Sequence, residues 1–184
     1  MAKDFLSLDE HLKDFIFRQK VFFTGSATSD SRVNISPRST ECLRIVDDNS
    51  VVYLDKTGSG NETAAHMLVD GRMTIMFCAV EGPPRILRLY GKGEVLHRSD
   101  DKFTLFLNRH FDGDAPLGMR QLVLLHFDLV KTSCGYGVPL FTYEKERENL
   151  DRWAAVKGQS GIEEYWQEKN VESMDGLKTG IFKD

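Results

Sequence analysis

The chain has 184 residues, of which 41% are hydrophobic and 28% charged, a composition typical of one globular domain with a sizeable core. Its formal net charge of −4 disfavours a general binder of nucleic acid or of membrane surfaces, since such proteins are usually basic. No apolar run reaches the ~20 residues needed to span a bilayer.

The cysteines and the first residues predict a cytoplasmic protein. Cys42, Cys78 and Cys134 are far apart and form no CxxC pair, which disfavours a disulfide framework and a zinc site. Charged residues such as Asp4 and Lys13 interrupt the first twenty positions, so no signal-peptide core is expected there.

The first predicted element is an amphipathic helix over about residues 8–18. Ser7 to Glu10 has the Ser-x-x-Glu pattern of a capping box, and apolar residues follow it at helical spacing. Alternating or β-branched runs then predict strands at 20–27, 32–36, 42–46, 51–54, 72–80, 85–96 and 121–130. Pro37 is expected to end the second strand, because proline cannot donate to a strand ladder.

Two more helices are predicted from helical spacing, at 100–111 and 144–157. The polar residues after the second of them are expected to form a tail that packs on a partner. Most strands are hairpin-connected, and only one strand–helix–strand link occurs. This pattern favours an antiparallel barrel or sandwich with accessory helices.

The strongest functional signal is the glycine loop, which we define as residues 57–61, between a predicted strand and a short helix that ends at Asp70-Gly71. Gly58 and Gly60 allow a positive φ and a close approach of the backbone to a ligand. The helix start offers unpaired N–H groups and partial positive charge to a phosphate or another anion.

A simpler interpretation of the loop needs no ligand. Ser59 and Glu62 have the spacing of a capping box, which only has to start a helix. Three more small polar residues surround the same helix start, which favours an anion site: Thr57, Asn61 and Thr63.

Other chemistries fit the sequence less well. Gly58-x-Gly60-x-x-Thr63 nearly matches a dinucleotide-binding fingerprint, but the helix is short and no second βαβ unit follows. Glu62 and His66 share a helix face without a third metal ligand at sensible spacing. His66 is therefore predicted either to pack behind the loop or to contact the ligand.

Five segments together resemble the pyridoxamine-phosphate-oxidase-like family of FMN-binding split barrels, over roughly residues 15–130. They are Arg32–Arg38, Tyr53–Asp55, Gly58–His66, Arg72–Phe77 and Arg85–Gly93. The residues from Cys134 onward resemble the ending of an uncharacterised branch of that family.

The resemblance implies a mainly β (α+β) fold, a six-stranded antiparallel split barrel with Greek-key connections. One domain is expected over residues 1–184, with a core at about 15–130 and a C-terminal helical extension at about 131–184. Family members are homodimers that hold two FMN molecules between their subunits. No metal, nucleic-acid or membrane partner is expected. With the glycine loop, the resemblance gives these predicted cofactor contacts: Ser36, Pro37, Arg38, Ser39, Asp55, Gly58, Ser59, Gly60, Asn61, Thr63, His66 and Arg88.

Two departures separate this chain from the true oxidase. Its loop has Ser59-Gly60-Asn61 where the oxidase has Ser-Arg-Lys, so two positive charges are missing. Two explanations are open: Arg38 or Arg88 supplies the charge instead, or the affinity for phosphate is weaker. The chain also lacks the Arg-x-His and Arg-Leu-x-Pro elements that end the oxidase. We therefore expect an FMN-dependent oxidoreductase of unknown substrate, in which the flavin carries the redox chemistry. The alternatives are a flavin- or haem-binding protein without turnover and an F420-dependent reductase.

Overall fold

The computed structural model describes residues 2–182, so three residues of the predicted domain, Met1, Lys183 and Asp184, lie outside it. Within this range the chain forms one eight-stranded sheet and four α-helices. The strands are β1 (Lys3–Phe5), β2 (Val21–Ser26), β3 (Asn34–Ser39), β4 (Leu43–Asp47), β5 (Ser50–Lys56), β6 (Arg72–Cys78), β7 (Arg85–His97) and β8 (Met119–Cys134). The helices are α1 (Glu10–Arg18), α2 (Glu62–Val69), α3 (Asp101–His110) and α4 (Asn149–Lys169).

The sheet is antiparallel throughout, in the order β3-β2-β6-β7-β8-β5-β4, with β1 beside β8. It curls into a half-barrel because the long strands β7 and β8 pair with each other along their length and with different strands at their two ends. One half of β7 pairs with β6, and the first half of β8 pairs with β5. A register shift between Tyr90 and Gly91 marks the bend, as bulges increase local twist. The predicted antiparallel split-barrel architecture is confirmed, although eight strands form instead of six.

Two apolar clusters lie on opposite faces of the curled sheet. The first fills the inside of the curl, where α1 and α2 pack against residues such as Phe22, Ile75 and Leu89. The second packs α3, through Phe103 and Leu107, on the other face of β5 and β8. Strand β5 is therefore buried on both faces, which explains its unbroken apolar run.

The outer face of β2, β3, β6 and β7 is only partly covered. Here we define the outer sheet face by its apolar residues Phe23, Ile35, Met76, Ile86 and Tyr90, all of them half-buried or exposed. Arg88 lies among them, beside Met76, and donates from Nη1 to the Ser133 hydroxyl at 3.2 Å.

Several predicted boundaries are wrong for local reasons. Helix α1 begins at Glu10, and its cap is Asp9, which accepts from the Leu12 N–H, so Ser7 forms no capping box. Strand β3 continues through Pro37 to Ser39, because β3 is the edge strand, where a missing N–H need not interrupt a ladder. Helix α4 is longer than predicted and contains a break at Gly158, whose φ is +66°.

The residues after α4 pack on this chain, and the predicted contact with a partner stays a prediction. Here we define the C-terminal segment as residues 170–182. The N–H of Met174 donates to Glu62 Oε2 at 3.0 Å, and Asp175 pairs with Arg32. This segment therefore lies against the glycine loop and the start of α2. No helix within residues 2–182 is both long and apolar enough to cross a bilayer.

The bend at Gly91 gives a test of the fold. A Cβ at this position would overlap the His126 carbonyl and lie 2.6 Å from the Phe127 Cα, both of them backbone atoms that cannot move aside easily. Gly91→Ala is expected to lower the free energy of unfolding by about 1–3 kcal/mol, measured by urea denaturation. Gly137→Ala, where a Cβ meets nothing within 4 Å, is the control and should leave the midpoint unchanged.

Candidate functional site

A cleft of about 1050 Å³ opens beside the glycine loop. Its walls come from the end of β3, the loop with the adjoining ends of β5 and α2, the turn after α3, and the residues that lead into α4. The edge of the sheet, a helix start and the chain before α4 thus converge on one concave surface. Cavities of this size and position are common ligand sites.

Most of the predicted cofactor contacts line this cleft: Ser36, Pro37, Arg38, Ser39, Gly58, Ser59, Gly60, Asn61 and Thr63. The other three do not. Asp55 lies beneath the floor and is 1% exposed. His66 lies behind the loop, where its Nδ1 is 3.0 Å from the Ser26 hydroxyl. Arg88 lies on the outer sheet face, away from the cleft of its own chain.

The positive φ predicted for the glycines of the loop is wrong. Neither Gly58 nor Gly60 has a positive φ. At Gly60 the requirement is space, because a Cβ there would lie 2.7 Å from Glu62 Oε1. Gly58 is exposed, and a Cβ there would make only ordinary contacts.

The predicted capping box at Ser59 is also wrong. Helix α2 begins after Asn61, and no side chain caps it. Glu62, the other half of the expected box, accepts instead from the C-terminal segment. Among residues 2–182 the Ser59 hydroxyl has no hydrogen-bond partner and faces the cleft.

The other polar side chains of the loop hold it to the rest of the protein. Thr57 Oγ1 donates to the Gly118 carbonyl at 2.7 Å and accepts from Trp166 Nε1 at 2.7 Å. Asn61 Oδ1 accepts from Gln121 Nε2 at 2.8 Å. The loop is thus braced by side chains on its far side while Ser59 remains available on the cleft side.

Two arginines share the buried carboxylate of Asp55. Arg120 Nε donates to Asp55 Oδ2 at 2.8 Å, and Arg38 Nη1 is 2.5 Å from Oδ1. Gln121 Nε2 also donates to Oδ2 at 2.8 Å. The Arg38 guanidinium also stacks on the Tyr53 ring, 4.7 Å from its centroid. Three strands, β3, β5 and β8, therefore meet in one buried ionic cluster.

Charge and burial oppose each other in this cluster. Burial alone would raise the pKa of Asp55, but the two guanidiniums and the hydrogen bonds from Arg120 and Gln121 outweigh it and lower the carboxyl pKa. Burial raises the pKa of the nearby Cys42 to about 12, although the positive charge of Arg38 opposes this. Asp55 is thus a carboxylate, and Cys42 a neutral thiol, at pH 7.

Hydrogen bonds from two of its three guanidinium nitrogens hold Arg120 in one orientation. Its Nη1 donates to the Gly60 carbonyl at 2.9 Å and to Asn170 Oδ1 at 2.8 Å, while Nε is bound to Asp55. Among residues 2–182 its Nη2 has no hydrogen-bond partner, and a Cβ on Gly58 would lie 3.9 Å from it. A guanidinium edge is therefore presented beside the glycine loop.

Sequence reasoning missed Arg120, Asn170 and Trp166. Arg120 stands just before an apolar run, where a single charged residue indicates only the start of a strand. Asn170 and Trp166 lie in the polar C-terminal part, more than a hundred positions from the loop that they contact. The one available signal was the lack of charge in the loop itself, which required a cation from elsewhere.

Comparisons with known proteins agree on one family. A family model described as pyridoxamine 5'-phosphate oxidase matches residues 8–134. The Aspergillus flavus pyridoxamine 5'-phosphate oxidase family protein ustO is 34% identical over 187 residues, which cover 93% of this chain and 75% of that protein.

Solved structures share the fold at low sequence identity. A Lactobacillus delbrueckii protein, provisionally named a pyridoxamine 5'-phosphate oxidase, has a TM-score of 0.52 at 18% identity, covering 68% of this chain and 94% of its own. HupZ of Group A Streptococcus has a TM-score of 0.51 at 18% identity, covering 66% and 91%.

The buried carboxylate predicts a dependence of stability on pH. Because the folded pKa of Asp55 is below its unfolded value of about 3.9, its contribution to stability is present above that value and is lost as the pH falls through the folded pKa. Asp55→Asn leaves two buried guanidiniums without a counter-charge and is expected to cost about 3–5 kcal/mol at pH 7.

Urea denaturation of both proteins from pH 7 to pH 3 measures the difference. The gap between wild type and Asp55→Asn should narrow below about pH 4, because the unfolded wild-type chain then binds a proton that the folded protein does not. Asp128→Asn, at an exposed position on β8, is the control and should run parallel to wild type. A gap that stays constant over this range would contradict the ionic role of Asp55.

Proposed function

The chain belongs to the pyridoxamine 5'-phosphate oxidase family, and on that basis we propose that it binds FMN in the cleft and acts as an oxidoreductase on a small molecule. Bound FMN would supply the redox chemistry, and the protein would supply binding, orientation and electrostatics. The chain needs no nucleophile or general base of its own for such a role.

The observation that carries the proposal is an uncompensated positive charge at the floor of the cleft. Asp55 is the only carboxylate paired with Arg38 or Arg120 among the described residues, so one carboxylate faces two guanidiniums. Both arginines line the cleft and are largely buried. Buried charges are normally compensated, and a bound anion would complete this cluster.

The available donors suit a phosphate group. Arg120 Nη2, the Ser59 hydroxyl and the backbone at the start of α2 lie at the same end of the cleft. A guanidinium edge and a helix start both favour phosphate oxygens. Arg120 and Arg38 would thereby supply the charge that Ser59-Gly60-Asn61 lacks relative to the true oxidase.

The remaining cleft extends toward Phe111 and Arg147 and offers room for an isoalloxazine ring and a substrate. Because the chain lacks the elements that grip the vitamin in the true oxidase, we propose a substrate other than pyridoxamine phosphate.

The lining of the cleft favours flavin over haem. Within the described residues, Cys42 is the only side chain of the lining that could ligate haem iron through sulfur, and the lining has no histidine, methionine or tyrosine. The pKa of Cys42 is raised, so the thiolate that binds iron is disfavoured. The deazaflavin F420 also carries a phosphate and stays an alternative.

We also propose that the protein is a homodimer that pairs through the outer sheet face. The apolar residues of this face are half-buried or exposed, and Ile35 is 67% exposed. Contiguous apolar surface of this kind is typical of protein–protein interfaces. Arg88 lies on the same face, so pairing would bring it next to the second subunit.

The phosphate assignment predicts a difference between two flavins. Arg38→Ala removes one guanidinium and leaves Asp55 paired with Arg120, so the fold should survive. Its Kd for FMN should rise roughly ten- to hundredfold, while the Kd for riboflavin, which has no phosphate, should hardly change. Flavin fluorescence titration measures both values, and Arg72→Ala, at an exposed position on β6, is the control.

The absorption spectrum of the purified protein tests the cofactor class independently. Flavin bands are expected, and a Soret band would overturn the assignment in favour of haem.

In the titration, an equal loss of FMN and riboflavin affinity in Arg38→Ala would place the phosphate elsewhere.

The dimer proposal predicts a mass of twice the chain in light scattering. Met76→Lys puts a positive charge in the middle of the outer sheet face, beside Arg88, and should shift the protein toward the monomer. Val156→Lys is the control, because Val156 is 89% exposed on α4 and lies off this face. A wild-type monomer saturated with flavin would contradict the proposal.

A further inference from the structure

The C-terminal segment begins with a buried side chain that contacts both the glycine loop and Arg120. We propose that Asn170 is a positioning residue for the phosphate end of the cleft, acting through Arg120 and Gly58. This inference rests on the proposed function, because it assigns a role within the same site.

Asn170 is fully buried and uses each of its polar groups. Its Oδ1 accepts from Arg120 Nη1 at 2.8 Å, and its Nδ2 donates to the Gly58 carbonyl at 3.1 Å. Its own carbonyl accepts from Asn61 Nδ2 at 3.3 Å and from Thr179 Oγ1 at 2.6 Å. The residue thus joins the cation, both sides of the loop and the rest of the C-terminal segment.

The bond to Arg120 fixes the plane of the guanidinium. Without Asn170, Nη1 would keep only its bond to the Gly60 carbonyl, which belongs to the loop itself. With Nη1 also bound to Asn170 and to the Gly60 carbonyl, Nη2 is confined to the side of the loop at Gly58. A pre-oriented donor loses less entropy when a phosphate binds.

The bond to Gly58 fixes a peptide plane of the loop. In a trans peptide the carbonyl and the following N–H point in opposite directions. Because the Gly58 carbonyl is directed at Asn170, the N–H of Ser59 is directed to the opposite side of the loop. Asn170 does not line the cleft, whereas Gly58 and Ser59 do. Asn170 therefore acts through these groups, without contact with a ligand.

The C-terminal segment is anchored independently of this residue. The Met174 N–H bonds to Glu62, Asp175 pairs with Arg32, and just before the segment Trp166 Nε1 bonds to Thr57. These contacts should keep the segment in place when the Asn170 side chain is changed. A positioning role can therefore be separated from a structural one.

The experiment compares Asn170→Ala with Thr179→Val. Asn170→Ala removes the side-chain bonds to Arg120 and Gly58. Thr179→Val removes only the bond from Thr179 Oγ1 to the Asn170 carbonyl. For Asn170→Ala we expect the Kd for FMN to rise roughly tenfold or more, and the Kd for riboflavin less than about twofold. Thr179→Val should lower the melting temperature of the flavin-free protein and leave the ratio of the two Kd values as in wild type.

Asn170→Asp gives a second measurement if Asn170→Ala does not fold. The carboxylate keeps the acceptor for Arg120, so the fold should be retained. It also neutralises the guanidinium and cannot donate to Gly58, so FMN affinity should fall further than in Asn170→Ala.

The outcomes separate this inference from the proposed function. A wild-type protein that binds FMN no better than riboflavin would overturn the phosphate assignment itself. A wild-type protein that prefers FMN, with the same preference in every folded Asn170 variant, would overturn the role of Asn170 alone. The same change of ratio in Thr179→Val would also overturn it, since the effect would then be one of general destabilisation.

Discussion

The site depends on one buried carboxylate that two guanidiniums share. Asp55 lies one residue before the end of the strand that is buried on both faces, so its charge has no access to bulk water and must be balanced by protein groups. The edge strand supplies Arg38 and the longest strand supplies Arg120. Strand β5 pairs with β8, and the curl of the sheet brings the edge strand β3 to them. The same cluster sets two guanidiniums against one carboxylate at the bottom of an open cleft.

The glycine loop takes its shape from the groups around it. Its helix start has no side-chain cap, and its own polar side chains are mostly occupied in contacts with Gly118, Gln121 and the C-terminal segment. Arg120 and Asn170 hold two of its carbonyls. A loop fixed from behind in this way can present its remaining donors without rearrangement, which favours binding by pre-organisation.

Much of the sheet could be predicted because its strands follow simple periodicities. The apolar run of β5 and the alternation of Ile86, Arg88 and Tyr90 on β7 are visible in single segments of sequence. The glycine loop was visible from its own residues, and most of the cofactor contacts predicted from the loop and the family resemblance line the cleft. The contacts between residues far apart in the chain could not be predicted from single segments of sequence. Glu62 matched a capping box but bonds to Met174 instead, and polar composition after α4 gave no indication of which surface it would cover.

The distance along the chain between the loop and its supports has a consequence for biosynthesis. Bonds from Thr57, Asn61 and Glu62 reach residues 109 to 112 positions later, whereas the sheet is complete at Cys134. Contacts between distant positions form late, because closing a long loop costs entropy before any contact offsets it. During synthesis on the ribosome, all residues of the sheet are therefore available before the last residues of the binding site have been added. A nascent chain would carry an assembled scaffold with an unfinished pocket until residues 166–174 emerge.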